Sequence, residues 1–187
     1  MDIMYYKMTI AGLERELPLC ELNDDLYIAA FVIFGDPELT VAAAGALLEK
    51  APDHDYLMTA EAKVIPLIHE MARQQGNKKY FLARKSPKLY MTGVFGVEVD
   101  SITTTGTQKL YLDTLDAEMI RGKRILIVDD VISTGNSLTA IERLVDEAGG
   151  EIVGRMAILA EGDAIGRKDI IYLEKLPLFE PDGTLIW

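Results

Sequence analysis

The run Ile125-Leu-Ile-Val-Asp-Asp-Val-Ile-Ser-Thr-Gly-Asn-Ser137 constrains this chain more than any other segment. Four β-formers are followed by two adjacent carboxylates, then by a loop of small hydroxylic residues around one Gly. From Leu138 to Val145 the apolar residues recur at helical period. A buried strand therefore brings two acids and a phosphate-sized cradle to one edge of a sheet. That layout suits a ligand carrying both a diol and a phosphate, in other words a ribose phosphate.

The rest of the 187 residues accommodates such a strand. A chain of this length fits one domain, residues 1–187, and its 49% apolar content can fill a core without staples. The lone Cys20 has no partner within the chain and reads as a small hydrophobe in a reducing compartment. No basic N-terminal start precedes an apolar stretch, and Ile28–Phe34 is too short to span a bilayer. These features predict a soluble, cytoplasmic protein that binds no membrane. The net charge of −11 argues against a nucleic-acid surface. Charge is local, however. Between Gly76 and Gly96 there are five basic residues (Lys78, Lys79, Arg84, Lys85 and Lys88) and no acid, an island able to attract an anion. Lys78 and Lys79 read more simply as a solvated turn.

Along the chain, Tyr5–Ile10 and Glu16–Leu22 read as short strands joined across Gly12. Asp36-Pro37 reads as an N-cap and first helical residue, opening a helix over Glu38–Lys50 that ends before Pro52. Tyr56–Thr59 and Tyr80–Ala83 are strands. Pro66 inside an apparent helix from Glu61 would cost about 3 kcal/mol, so the helix is placed from about Ile65 to Gln75, closed by Gly76. Val94–Val99 and Lys109–Leu112 read as a hairpin around Ser101–Gln108. Ile125–Val128 and Ile152–Leu159 are buried strands flanking a Ser137–Ala148 helix. Strands alternating with helices predict an α/β fold with a central, mostly parallel sheet covered on both faces. Ligands of such sheets sit beyond the carboxyl ends of the strands. The two ends, about 1–22 and 176–187, carry short strand-like pieces with Pro and Gly, and are expected to form a small hood.

In the main run, Asp129 and Asp130 follow the last apolar residue of the strand, and their side chains point to opposite sides. A carboxylate accepts two hydrogen bonds, which suits vicinal hydroxyls. Ser133, Thr134, Gly135, Asn136 and Ser137 lead into a helix N-terminus, where free N–H groups and the helix dipole favour an anion. A strand end with an ordinary Ser133 or Ser137 N-cap is the plainer alternative. The whole run resembles the phosphoribosyl-pyrophosphate motif of type I phosphoribosyltransferases. The resemblance implies that Asp129 and Asp130 hold the ribose hydroxyls and Ser133–Ser137 the 5′-phosphate.

Thr59-Ala-Glu-Ala-Lys63 is a second loop between a strand end and a helix start, now with a cation. The segment Glu61-Ala62-Lys63-Val64 is similar to the Glu-Ala-Arg-Gly pyrophosphate loop of adenine phosphoribosyltransferase-like members. Lys in place of Arg keeps the charge and loses the bidentate fork. Arg84-Lys85, with Lys88 three residues on, matches their Arg-Lys pair. The resemblance thus implies a pyrophosphate site of Glu61, Ala62, Lys63, Arg84, Lys85 and Lys88, where cations offset the charge of a leaving pyrophosphate. Ser101–Gln108 is polar and could close as a lid. Adenine-specific members carry an acid in this loop; here there is none, and Glu98 and Asp100 lie only at its edge.

His54 and His69 have no metal-ligand spacing. No Gly-x-Ser-x-Gly or Walker-type loop is present. The resemblance implies a type I phosphoribosyltransferase fold that transfers the 5-phosphoribosyl group from phosphoribosyl pyrophosphate to a nucleobase, releasing pyrophosphate. It further implies catalytic Asp129, Asp130 and Lys85, Mg²⁺ held through substrate and water with no direct protein ligand, and a homodimer. Ser133 stands where members acting on 6-oxopurines carry an Asp, which favours adenine. Xanthine or orotate as the base, and a regulatory protein that binds the sugar phosphate without turnover, remain alternatives. A phospho-receiver domain fits poorly, because its acidic pair lies near the start of the domain.

Overall fold

The computed structural model describes residues 3–77, 79–100 and 107–186. Among them the chain begins with the strands β1 (Tyr5–Ile10), β2 (Leu13–Asn23) and β3 (Leu26–Ala29), then the helix α1 (Pro37–Leu48). Strand β4 (Tyr56–Ala60), helix α2 (Ile65–Gln75) and strand β5 (Phe81–Ala83) follow. A hairpin of β6 (Val94–Asp100) and β7 (Thr107–Asp113) leads to α3 (Thr114–Ile120). Next come β8 (Arg124–Ile132), α4 (Asn136–Ala148), β9 (Glu151–Glu161) and a 3-10 turn at Gly162–Gly166. The chain closes with β10 (Ile171–Leu176), β11 (Leu178–Phe179) and β12 (Leu185–Ile186).

The central sheet has the order β10-β9-β8-β4-β5, and every neighbouring pair is parallel. Alternation along the strands separates its two faces. Leu57, Leu126, Val128, Met156 and Ile158 pack with the buried residues of α1 and α2, such as Leu47, Leu67 and Met71. Met58, Ile125, Ile127 and Ala157 pack with Ala117 and Ile120 of α3 and with Ile141, Leu144 and Val145 of α4. The helices thus cover both faces, as a parallel sheet requires.

Local chemistry sets the helix ends. The Asp36 carboxylate accepts the Leu39 N–H at 3.0 Å, Pro37 opens α1, and Arg15 pairs with Asp36 at 2.7 Å. Helix α2 begins at Ile65 with Pro66 in its first turn and is closed by Gly76, as the cost of an interior Pro predicts. At the amino end of β8, away from the acidic pair, Arg124 lies 2.5 Å from Asp53 and 2.9 Å from Asp55. That pairing pulls the Asp55 carboxyl down to about 2.

A second, antiparallel sheet has the order β1-β2-β3-β11-β12 and draws on both ends of the chain. Ile10, Leu17, Ala29 and Phe179 from it share a core with α1, α2 and the central sheet. It includes β3, beyond the 1–22 boundary read from sequence, because Ile28 pairs with both Cys20 and Leu178.

One local expectation changes, and the plainer alternative for the start of α4 falls. Strand β8 does not stop at Val128. It runs through both acids to Ile132, because β9 continues alongside and pairs Asp129 with Ala157, Val131 with Leu159 and Ile132 with Ala160. Helix α4 is capped by neither Ser133 nor Ser137: its N-cap is Gly135, whose φ of +80° is the left-handed region Gly enters without a Cβ penalty.

Candidate active site

At the carboxyl end of β8 the alternation of side chains separates the two acids. Asp130 follows the parity of Val128, toward α2. Asp129 follows that of Ile127, toward α4. Asp130 is buried, and its Oδ2 has no hydrogen-bond partner among the described residues. Lys63 Nζ lies 3.8 Å from that oxygen. Asp129 is half-buried, and its Oδ1 accepts the Asp130 N–H at 2.8 Å. Burial and the neighbouring Asp130 charge push the Asp129 carboxyl well above the ordinary carboxylate range.

Two cavities meet at Asp129. The larger, about 720 Å³, lies beyond the ends of β4, β5 and β8, where Lys63, Lys85, Asp129, Asp130 and Ser137 reach it. The smaller, about 180 Å³, is bounded by Asp129, Ile132, Ser133, Thr134, Gly135 and Ser137. Because Gly135 has no side chain, the first N–H groups of α4 receive no cap from it and remain available to an anion. Ser133 is half-buried, while Thr134 and Ser137 are exposed. Asn136 opens α4, and its side chain lies outside the described residues.

The loop after β4 is tied to the end of β5 by Glu61. Its Oε2 lies 2.7 Å from Arg84 Nε, its Oε1 accepts the Lys85 N–H at 2.6 Å, and its own N–H donates to the Ala83 carbonyl at 2.9 Å. Arg84 is held further by its backbone, which exchanges two 2.8 Å hydrogen bonds with Tyr111 of β7. This strut leaves Ala62 and Lys63 exposed at the cavity, ahead of an α2 N-terminus that has no side-chain cap.

The sequence-assigned residues therefore separate by position. Asp129, Asp130, Glu61, Ala62, Lys63, Lys85 and Ser137 line the larger cavity; Ser133, Thr134 and Gly135 line the smaller. Arg84 spends its guanidinium on Glu61, and Lys88 Nζ donates to Ser86 Oγ at 2.7 Å. Neither is among the residues lining the larger cavity. Lys109 and Leu110 of β7 do line it, and sequence reasoning missed them. The available signal was Lys109 standing first after the polar loop. Lys109 pairs with Glu98 across the hairpin at 2.5 Å, which occupies one of the two acids near the loop edge. The lid expected at Ser101–Gln108 falls largely outside the described residues, and Thr107 and Gln108 open β7.

Such a site has acceptors for hydroxyls at its centre, an amide-lined pocket on one flank and the exposed ammonium groups of Lys63 and Lys85 on the other. It can bind a sugar with a phosphate at one end and a second anion at the other. Among the described residues no three His, Cys, Asp or Glu side chains cluster as metal ligands, and no helix is long and apolar enough to cross a membrane.

Comparison with known proteins bears on the family and the fold. A hypoxanthine/guanine phosphoribosyltransferase of Methanosarcina mazei is 33% identical over 131 residues, covering 68% of this chain and 64% of the relative. An adenine phosphoribosyltransferase of Petrotoga mobilis is 34% identical over 121 residues, covering 62% of this chain and 63% of the relative. The chain thus spans a little under two thirds of the length of these two curated relatives. The crystal structure of adenine phosphoribosyltransferase from Rhodothermus marinus shares the fold. Its TM-score is 0.64 at 24% identity, over 92% of this chain and 94% of that one. The central parallel sheet with its flanking helices is thus the type I phosphoribosyltransferase fold that the acidic run implied. Residues 41–176 match the phosphoribosyl transferase domain, and the chain belongs to that family.

Proposed function

We propose that this chain transfers the 5-phosphoribosyl group from phosphoribosyl pyrophosphate to a ring nitrogen of a purine base, with adenine the favoured acceptor. The observation that carries the reading is the division of the site at Asp129. An amide-lined pocket opens toward α4 on one side, and a larger cavity with exposed Lys63 and Lys85 lies on the other. The 5′-phosphate enters the first and pyrophosphate the second, with the ribose between them over Asp129 and Asp130.

In the reaction the bond from the anomeric carbon to pyrophosphate breaks and a bond to the base nitrogen forms. Positive charge develops on the sugar and negative charge on the leaving group. Asp129 and Asp130 accept the ribose hydroxyls, and the negative charge the pair retains stabilises the sugar cation. Lys63 and Lys85 stabilise the departing pyrophosphate, and Glu61 with Arg84 positions them. The buried, unpartnered Asp130 Oδ2 beside Asp129 is a hard oxygen donor set that suits Mg²⁺ held through water. Mg²⁺, when bound, supplies further charge to the pyrophosphate oxygens. The same reading expects a homodimer acting in the cytoplasm.

Ser133 and the Glu61-Ala62-Lys63 and Arg84-Lys85 matches favour adenine. The hypoxanthine/guanine enzyme among the relatives makes 6-oxopurines the second candidates. A panel of adenine, hypoxanthine, guanine, xanthine, orotate and uracil, each with phosphoribosyl pyrophosphate and Mg²⁺, decides between them by pyrophosphate release. Release with adenine supports the proposal. Release only with another base moves the substrate, and release with none removes the enzyme reading.

A further inference from the structure

We infer that Arg167, outside the acidic run and both loops, is the cation that recognises the 5′-phosphate. The inference rests on reading Ser133–Ser137 as the phosphate pocket. That stretch contains no Lys or Arg. Lys63 and Lys85 line the larger cavity and not the smaller one. A phosphate monoester is close to dianionic at neutral pH, so a cation beside the loop adds to the attraction of its amides, hydroxyls and helix dipole. This applies with particular force in a chain of net charge −11.

Arg167 follows the 3-10 turn Gly162–Gly166, and its N–H donates to the Ala164 carbonyl at 3.2 Å. Its guanidinium stands against Gly135 of the phosphate loop, although Arg167 is not itself among the residues that line the smaller cavity. A Cβ built on Gly135 would lie 2.8 Å from Arg167 Nη1. The missing side chain at Gly135 therefore serves two ends: it permits the left-handed turn, and it lets a guanidinium approach the loop backbone. Asp169 fixes the fork from behind, accepting from Nε at 3.0 Å and from Nη2 at 2.7 Å. Nη1, the nitrogen turned to the loop, has no hydrogen-bond acceptor among the described residues. Asp169 also lies 4.0 Å from Arg155, which pairs with Glu142 of α4. The resulting chain of charges fixes Arg167 relative to α4, the helix whose N-terminus forms the pocket. A guanidinium pre-oriented in this way donates to phosphate oxygens with little loss of side-chain freedom.

A purely structural brace is the competing role, and the ends of the ligand separate the two. Titration of the full-length protein with ribose 5-phosphate and, separately, with inorganic pyrophosphate supplies both readouts. Arg167→Gln should weaken ribose 5-phosphate binding roughly ten- to a hundredfold, as loss of a charged hydrogen bond does, while leaving pyrophosphate affinity at the wild-type value. Arg167→Lys keeps the charge, loses the fork and should fall between the two. Unchanged ribose 5-phosphate affinity in the Gln variant would overturn the inference, and so would an equal loss of both ligands. If the Gln variant does not fold, the Lys variant decides: intermediate affinity supports the role and wild-type affinity contradicts it. Wild-type protein that binds pyrophosphate but not ribose 5-phosphate would remove the phosphate pocket itself, and the inference with it.

Discussion

The Glu61 carboxylate, at the wall of the larger cavity, lies 2.7 Å from Arg84 Nε, while its second oxygen accepts the Lys85 N–H. Two residues that resemble ligands in the sequence thus form a strut, and the strut sets where Lys63 and Lys85 stand. Arg84 Nε is buried and makes no hydrogen bond among the described residues, so the ion pair with Glu61 is its compensation. Glu61→Gln would leave that charge without its counterion and should cost about 1–3 kcal/mol of stability. Denaturant unfolding measures this, and pyrophosphate affinity should fall alongside it. A variant with native stability and native pyrophosphate affinity would show that the strut is idle.

Lys63 presents the opposite expectation. Its side chain is 58% exposed, so Lys63→Gln should change stability by no more than about 0.5 kcal/mol. In the proposed reaction its task is nonetheless the transition-state charge on the leaving group. Pyrophosphate inhibition and kcat should both fall, roughly tenfold or more. Steady-state kinetics with phosphoribosyl pyrophosphate as the varied substrate makes the comparison, and unaltered kinetics would remove Lys63 from the site.

Asp129 gives a pH signature. Burial and the Asp130 charge raise its carboxyl, so the native protein retains a proton that the unfolded chain releases near the ordinary Asp value of about 3.9. As pH rises above that value the unfolded state binds fewer protons than the native state, so stability falls until the native carboxyl also ionises. Asp129→Asn removes this dependence. The Tm difference, variant minus wild type, should therefore increase between about pH 5 and about pH 8. A difference that stays flat or shrinks contradicts the assignment. The same substitution should weaken ribose 5-phosphate binding at either pH.

Gly135 tests the phosphate loop from the backbone. Its φ of +80° strains any residue with a Cβ, and a Cβ there would also displace Arg167 Nη1. Gly135→Ala should cost about 1–2 kcal/mol from the left-handed conformation alone, and displacement of Arg167 should add a loss of ribose 5-phosphate affinity. Thermal melts with and without that ligand separate the two effects. An Ala variant stabilised by the ligand as strongly as wild type would show that the loop does not meet it.

The acidic run was legible because its signals are local. A β-branched segment, two carboxylates, a Gly and a 3.6-residue repeat each report on their own neighbours. The start of α2 was legible for the same reason, through Pro66. The continuation of β8 past Val128 was not, since it depends on pairing with β9 from Ala157 to Ala160, remote in sequence. β3 and β11 are short and find their partners only across the whole chain, Ile28 against Leu178. The helix α3 was missed although Asp113, which accepts the Leu115 N–H at 3.0 Å, is a cap of the expected type. Within the site, residue types indicated which side chains are charged. Only the fold revealed that Glu61 engages Arg84, that Lys88 turns to Ser86 and that Lys109 joins the cavity.

The central claim is group transfer at the Asp129–Asp130 pair. Its most direct test is product stoichiometry by mass spectrometry. Full-length protein is incubated with adenine, phosphoribosyl pyrophosphate and Mg²⁺, beside the Asp129→Asn, Asp130→Asn double variant. The account predicts that the wild type forms equal amounts of the adenine mononucleotide and pyrophosphate and that the double variant forms neither while keeping its fold. Tight binding of phosphoribosyl pyrophosphate by the wild type, with no nucleotide formed from adenine or any other base, would contradict it.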